Sequence, residues 1–241
     1  MDQDSAPLHG HISRQYDAEL EEIHSRALAM GGLVEQQIHD AVTALLSNDT
    51  RLAEEVVEND MRVNAMEVAI DEECSFILAR RQPTASDLRL VMAVIKTITD
   101  LERIGDEAER IARMALAEEK RAASERLFGR LEHMGEMVRE MLREALDTFA
   151  RMDAEKAIEV WHMDRRIDQE YEDIMRLLVT YMMEDPRSIP HALNVMWAAR
   201  ALERIGDHTR NICEYVIYLV KGKDVRHTNI DRLKSIMRPE S

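Results

Sequence analysis

The chain has 241 residues, of which 32 are basic and 47 acidic, for a formal charge of −15 at pH 7. That balance, with no clustered basic face, excludes the electrostatic footprint of a nucleic-acid-binding protein. Aromatic residues make up only 4%, and 8 glycines and 5 prolines stand among abundant Ala, Leu, Met, Glu and Arg, so the expected class is all-α.

The opening segment, MDQDSAPLHG, is acidic and lacks the apolar core of a secretory signal. A first helix is expected over about 11–47, because Ile12, Tyr16, Leu20, Ile23, Ala27, Met30, Val34, Ile38, Ala41 and Leu45 recur at intervals of three and four. Asn48-Asp49-Thr50 ends it. A second helix, about 50–81, carries Val56, Val63, Met66, Ile70, Cys74 and Ile77 inward. Gln82-Pro83 stops that helix, and Thr84-Ala85-Ser86-Asp87 is a capping box opening a third over about 84–118.

The plan then repeats. Met30-Gly31-Gly32-Leu33-Val34 returns as Met134-Gly135-Glu136-Met137-Val138 at an offset of 104 residues, as do Asp49, Val56, Asp60 and Arg62 as Asp153, Val160, Asp164 and Arg166. LERIGD occurs at Leu101–Asp106 and again at Leu202–Asp207, an offset of 101. The second set of helices is expected at about 124–151, 153–183 and 187–221, with Ser124, Asp153 and Asp185-Pro186 as start signals. Helices near 30 residues are roughly 45 Å long, and short turns force them antiparallel. The expected architecture is therefore two tandem, sequence-related three-helix bundles, over 1–121 and 122–221, with a loosely ordered tail over 222–241. The apolar run Tyr215–Val220 is far short of the roughly 20 residues of a membrane span, and Cys74 and Cys213 imply no disulfide framework, so a cytoplasmic location is expected.

The repeated hexapeptide carries the chemistry. Helical spacing puts Glu102 and Asp106, and likewise Glu203 and Asp207, beside the apolar stripe of their helices, where a carboxylate needs a cation or several donors. Counting back through the antiparallel turn brings Asp60 and Asn64 opposite the first pair, and Asp164 and Asp168 opposite the second. Four converging oxygen side chains with little histidine suit hard or borderline cations such as Mg, Mn or Fe. With four carboxylates against three, the second set is expected to be the stronger. The plainer alternative pairs these acids with Arg103, Arg110, Arg204 or Arg210 and gives Gly105 and Gly206 a packing role.

The paired ExxxD motifs on the third helices of a duplicated unit resemble the PhoU family of phosphate-specific transport accessory proteins. The likeness extends through Arg81-Gln82-Pro83-Thr84-Ala85-Ser86-Asp87-Leu88-Arg89, Tyr181-Met182-Met183-Glu184-Asp185 and Val225-Arg226-His227, nearly the whole chain. It implies a non-enzymatic, cytoplasmic negative regulator of the phosphate-starvation response that commonly forms a homodimer. Its implied partners are the ATPase subunit of the phosphate ABC importer and the phosphate-sensing histidine kinase, with membrane contact only through them. It also implies metal ions (Mg, Mn, Fe or Zn) on the ExxxD motifs, with Asn64 in place of an acid weakening the first site.

Two other classes compete. A di-iron oxidase needs Glu-x-x-His elements at one level, and Glu21-x-x-His24 and Glu159-x-x-His162 fall on non-equivalent helices. A metal-free helical adaptor would use the acids only to shape a docking surface. His208, whose first-copy equivalent is Glu107, is expected to face solvent.

Overall fold

A computed structural model describes residues 14–117 and 125–225. The elements are α1 (Arg14–Ser47), α2 (Thr50–Arg81), α3 (Ala85–Ala117), α4 (Glu125–Arg151), α5 (Ala154–Trp161), α6 (Asp164–Glu184), a 3-10 turn (Pro186–Ser188) and α7 (Ile189–Lys221). The chain is all-α, with no strand among the described residues. The expected Ser124 cap lies outside the described residues, as do 226–241 of the expected tail.

Local signals explain the helix ends. The Asp49 side chain accepts from the Leu52 amide and Asp153 accepts from the Glu155 and Lys156 amides, each satisfying donors that a first helical turn leaves open. Asp87 accepts from both the amide and the hydroxyl of Thr84, at 3.2 and 2.6 Å, which is the reciprocal half of a capping box. Gly222, at φ 65°, closes α7 with its amide on the Tyr218 carbonyl. Three residues later Val225 is buried at 2% exposure, so the segment beyond the cap still reaches the core rather than standing clear of it.

The two interhelical turns at Asn48 and Met152 are copies of one another, and both residues sit at positive φ, 55° and 54°. Asparagine occupies that region at lower cost than methionine. Met152→Asn is therefore expected to stabilise the protein by about 1 kcal/mol, or about 2–4 °C in thermal midpoint, in a melt against the wild type.

The expected single helix over 153–183 is two helices. At His162 the amide is shared between the carbonyls of Ile158 and Glu159, and the Met163 amide reaches Val160, so one tightened turn separates α5 from α6. Trp161, where the first unit has Val57, donates its indole N–H to Glu214 of α7 at 3.1 Å, and the break follows directly after this bulky anchored side chain.

The two units share one continuous core. Equivalent helices meet each other: α3 packs along α7, and α1 packs along α4. The second contact is reciprocal in detail. A Cβ at Gly31 would stand 2.5 Å from Leu146 Cδ2, and one at Gly135 would stand 3.1 Å from Val42 Cγ2. Gly31 and Gly135 are repeat equivalents, and so are Val42 and Leu146. Each glycine is thus the socket for the other unit's side chain, the self-complementary pattern of an isologous interface folded into one chain.

His24 fastens the same seam. Its Nε2–H donates to the Phe149 carbonyl at 3.2 Å, and the ring lies 4.7 Å from that of Phe149. Burial holds its pKa below the ordinary histidine value. The folded state therefore keeps this ring neutral, and stability present above about pH 6.5 is lost as pH falls and the unfolded chain takes the proton. Between pH 7.5 and 5.5 the thermal midpoint of the wild type is expected to fall further than that of His24→Gln.

Candidate functional site

In both copies of LERIGD the apolar letters are buried: Leu101, Ile104 and Gly105 in α3, and Leu202, Ile205 and Gly206 in α7. The glycine serves a close approach. A Cβ at Gly105 would lie 3.1 Å from Asp60 Oδ1 and 3.5 Å from Gln37 Oε1, and one at Gly206 would lie 3.3 Å from Asp164 Oδ1. Each motif therefore closes its helix over a buried aspartate of the neighbouring helix. This accounts for a helical glycine that costs about 1 kcal/mol against alanine.

Around the first motif stand Asp60 and Asn64 from α2, with Glu102 and Asp106 from α3, the grouping expected from the helical count. Asp60 is only 5% exposed. Its Oδ2 accepts from Asn64 Nδ2 at 3.1 Å, while its Oδ1, Asn64 Oδ1 and the nearby Gln37 Oε1 have no hydrogen-bond partner. Burial first, then the charges of Glu109 and Asp106, raise the Asp60 pKa, against hydrogen bonding from the Asn64 and Gln37 amides. Burial, then Asp106, Glu67 and Asp60, raise that of Glu102. Glu67 is raised by burial and by Asp71 and Asp106, with Arg103 opposing. The first set is thus an under-compensated group of acids, and Gln37, Glu67 and Glu109 are members that the helical count did not single out.

The second set has the expected acids but a different filling. Asp164, 3% exposed, accepts from Arg210 at 2.5 Å, and the same guanidinium reaches Asp207 at 3.2 Å. Arg200 holds Glu203 at 2.6 Å. Burial raises the Asp164 pKa to about 6 against the opposing pull of Arg210. Asp168 is raised by burial and Asp207, and Glu203 by burial, with Arg200 opposing and Asp207 adding. Here the plainer alternative, acids answered by arginine, describes the geometry.

Among the described residues no three His, Cys, Asp or Glu side chains are gathered closely enough to hold an ion as they stand. The donor chemistry still separates the two sets. Each set leaves buried oxygens without a partner, Asp60 Oδ1 and Asn64 Oδ1 in the first and Asp164 Oδ1 and Glu203 Oε2 in the second, but only the second has a guanidinium bridging two of its acids. The first set fits a hard cation. In the second, a guanidinium already lies between Asp164 and Asp207, so a cation fits only by displacing it.

His208 does not face solvent. Its Nδ1 lies 2.7 Å from Oδ1 of Asp100, which is 2% exposed on α3. Asn211 and Tyr215 of α7 donate to the same carboxylate at 3.2 and 2.7 Å. The equivalent Glu107 also turns inward across the seam, to Arg204 of the other unit at 2.6 Å and to Arg110 at 2.8 Å. Both positions join the units, which a count within one bundle does not show.

Comparison with known proteins follows the same division of the chain. The PhoU domain model matches twice, over residues 27–115 and 131–216. A Pseudomonas putida protein described as a phosphate-specific transport system accessory protein PhoU homolog is 58% identical, covering 92% of this chain and 87% of the relative. The Escherichia coli K12 phosphate-specific transport system accessory protein PhoU is 52% identical, covering 97% of each. The crystal structure of PhoU from Pseudomonas aeruginosa superimposes with a TM-score of 0.83 at 55% identity, covering 87% of this chain and all (100%) of that one. The phosphate transport system regulatory protein PhoU from Streptococcus pneumoniae gives 0.82 at 34%, covering 88% and 99%.

Proposed function

The chain belongs to the PhoU family, and from that membership we propose that it is a non-enzymatic regulator of phosphate homeostasis. In this reading it represses the phosphate-starvation regulon and phosphate uptake when phosphate is ample. It does so by coupling the ATPase subunit of the phosphate ABC importer to the phosphate-sensing histidine kinase. It works in the cytoplasm as a homodimer, at the membrane only through its partners. The single observation that carries the reading is the double match to the PhoU domain, one over each repeat, with both ExxxD motifs retained.

Two structural features support it. Among the described residues no helix is long and apolar enough to cross a membrane. Ile189, Leu193 and Trp197 are 40%, 39% and 56% exposed at four-residue spacing on α7, and Val179 and Met183 are 53% and 79% exposed on α6. Such apolar rows on the helices that meet at the 184–189 turn suit docking to another protein.

Metal ions (Mg, Mn, Fe or Zn) belong to the proposal as ligands of Asp60, Asn64, Glu102 and Asp106. A cation there supplies counter-charge to crowded carboxylates; the chain's own residues supply the oxygens and, through Gly105, the close helix approach. Two rival readings lack such support. His24 spends its Nε2–H on the Phe149 carbonyl and Glu159 pairs with Lys156, so neither Glu-x-x-His element is assembled as an oxidase would need. The metal-free adaptor differs from the proposal only in the first set, where buried, mutually crowded acids without a bridging guanidinium favour a cation.

Deletion of the gene in its native host tests the function. A phosphate-starvation reporter should stay on at high phosphate and return to repression when the gene is restored. An unchanged reporter in the deletion strain rejects the proposal.

A further inference from the structure

We propose that Arg210 is a built-in counter-ion: its guanidinium occupies, in the second repeat, the place a metal cation takes in the first. The doubled motif then makes one cation site and one site closed from within. This inference rests on the cation-binding reading of the motif given above.

The repeat equivalences carry it. At the offset of 101 residues, Glu109 corresponds to Arg210 and Arg113 to Glu214, so an i, i+4 pair has exchanged its charges between copies. In α3 that pair is closed on itself, with Arg113 2.6 Å from Glu109, and the guanidinium lies a turn beyond the motif. In α7 the exchange moves the guanidinium a turn closer, where it bridges Asp164 at 2.5 Å and Asp207 at 3.2 Å. A second exchange works the same way. Arg200, which holds Glu203, stands where the first copy has Thr99, whose hydroxyl donates instead to Ile95 of its own helix at 3.0 Å.

The surroundings have followed. Gln37, whose amide lies beside Asp60 and Gly105, corresponds to the buried Met141, so the second copy has no amide at that position. Beside Gly105 the Asp60 carboxylate, 5% exposed, has the side-chain amides of Asn64 and Gln37 about it rather than a guanidinium. A guanidinium bridging two of four acids both fills the space between them and repels an incoming cation. The set with only three carboxylates and Asn64 is therefore the open one, reversing the order that the carboxylate count implies.

Calorimetric titration of the full-length chain with Mn2+, paired with thermal melts, tests this. The wild type should bind at one class of site, weakened at least tenfold by Asp60→Asn and unchanged by Asp168→Asn. Arg210→Glu, which copies the first repeat, and the milder Arg210→Gln should add a second class of binding that Asp168→Asn removes. Without metal Arg210→Glu should melt below the wild type, and Mn2+ should raise its midpoint more than that of the wild type. Wild-type binding halved by Asp168→Asn, or Arg210 variants that gain no binding, would overturn the inference while leaving the cation reading in place. A wild type that binds no Mn2+ would remove both.

Discussion

Arg210→Met is expected to lower the stability of the metal-free protein by about 2 kcal/mol at pH 7, less than is usual for breaking a buried ion pair, because Asp164 already takes a proton readily. The methionine keeps the aliphatic stem but leaves Asp164, 3% exposed, with neither oxygen partnered. Asp164 must then stay charged in a dry site or take a proton. Burial already lifts the Asp164 pKa to about 6 with Arg210 in place, so taking the proton at pH 7 costs only about 1.4 kcal/mol more than in the wild type, and the lost hydrogen bond adds about 1 kcal/mol, which together cap the loss. Arg210 is itself one-third exposed (32%), so the figure belongs below that cap. Because the Asp164 pKa is already raised above its unfolded value, the penalty should shrink as pH falls from 7 towards 4. Asp164→Leu placed in the same chain should recover most of the loss, since an apolar pair replaces a buried ionic one at little cost. Asp60→Asn, by contrast, should hold or raise metal-free stability, because it removes a buried acid crowded by Asp106 and Glu109. Urea melts of the four proteins check these signs, and an Arg210→Met loss under 1 kcal/mol would mean the pair is ornamental to the fold.

Asp100→Ala is the second large effect, expected at about 3–5 kcal/mol by the same denaturant measurement. Asp100 accepts from His208, Asn211 and Tyr215, all on α7, so one side chain ties the two repeats together through three donors. Truncation leaves three part-buried donors at the α3–α7 seam without their shared acceptor. Asp100→Asn keeps the shape and one carbonyl acceptor and should cost less than half as much. Equal losses for the two variants would show that volume rather than hydrogen bonding matters at this position.

These expectations show where residue patterns were enough and where they were not. The helices announce themselves because each buries one stripe, so Ile23, Ala27, Met30 and Val34 recur at helical spacing without reference to any neighbour. The caps at Asp49, Asp87 and Asp153 are equally local. Asp60 and Asp164 were placed opposite their motifs because an antiparallel hairpin converts sequence distance into height. The break at His162–Met163 is not legible in the sequence, since 153–183 keeps its apolar period across it and the neighbouring Trp161 anchors on another helix.

Contacts between the repeats were hidden for a related reason. His208 has Glu107 as its counterpart, which is why it is expected to face solvent, and Asp100 has only Ala201, so nothing in the repeat marks it. Both lie instead on the seam between like helices, which no count within a bundle contains. Arg210 is different, because its signal was present: aligning the two motifs sets it against Glu109 three residues past the shared LERIGD. A count of carboxylates does not include the guanidinium, which decides the local charge.

The account turns on one fold element carrying two different answers to the same buried aspartate. The most direct measurement is a crystal of the full-length chain equilibrated with Mn2+, with anomalous scattering recorded at both motifs. The account predicts a manganese peak beside Asp60, Glu102 and Asp106, and none between Asp164 and Asp207, where the Arg210 guanidinium remains in place. Peaks of equal height at both motifs, with Arg210 turned away from Asp164, would contradict it.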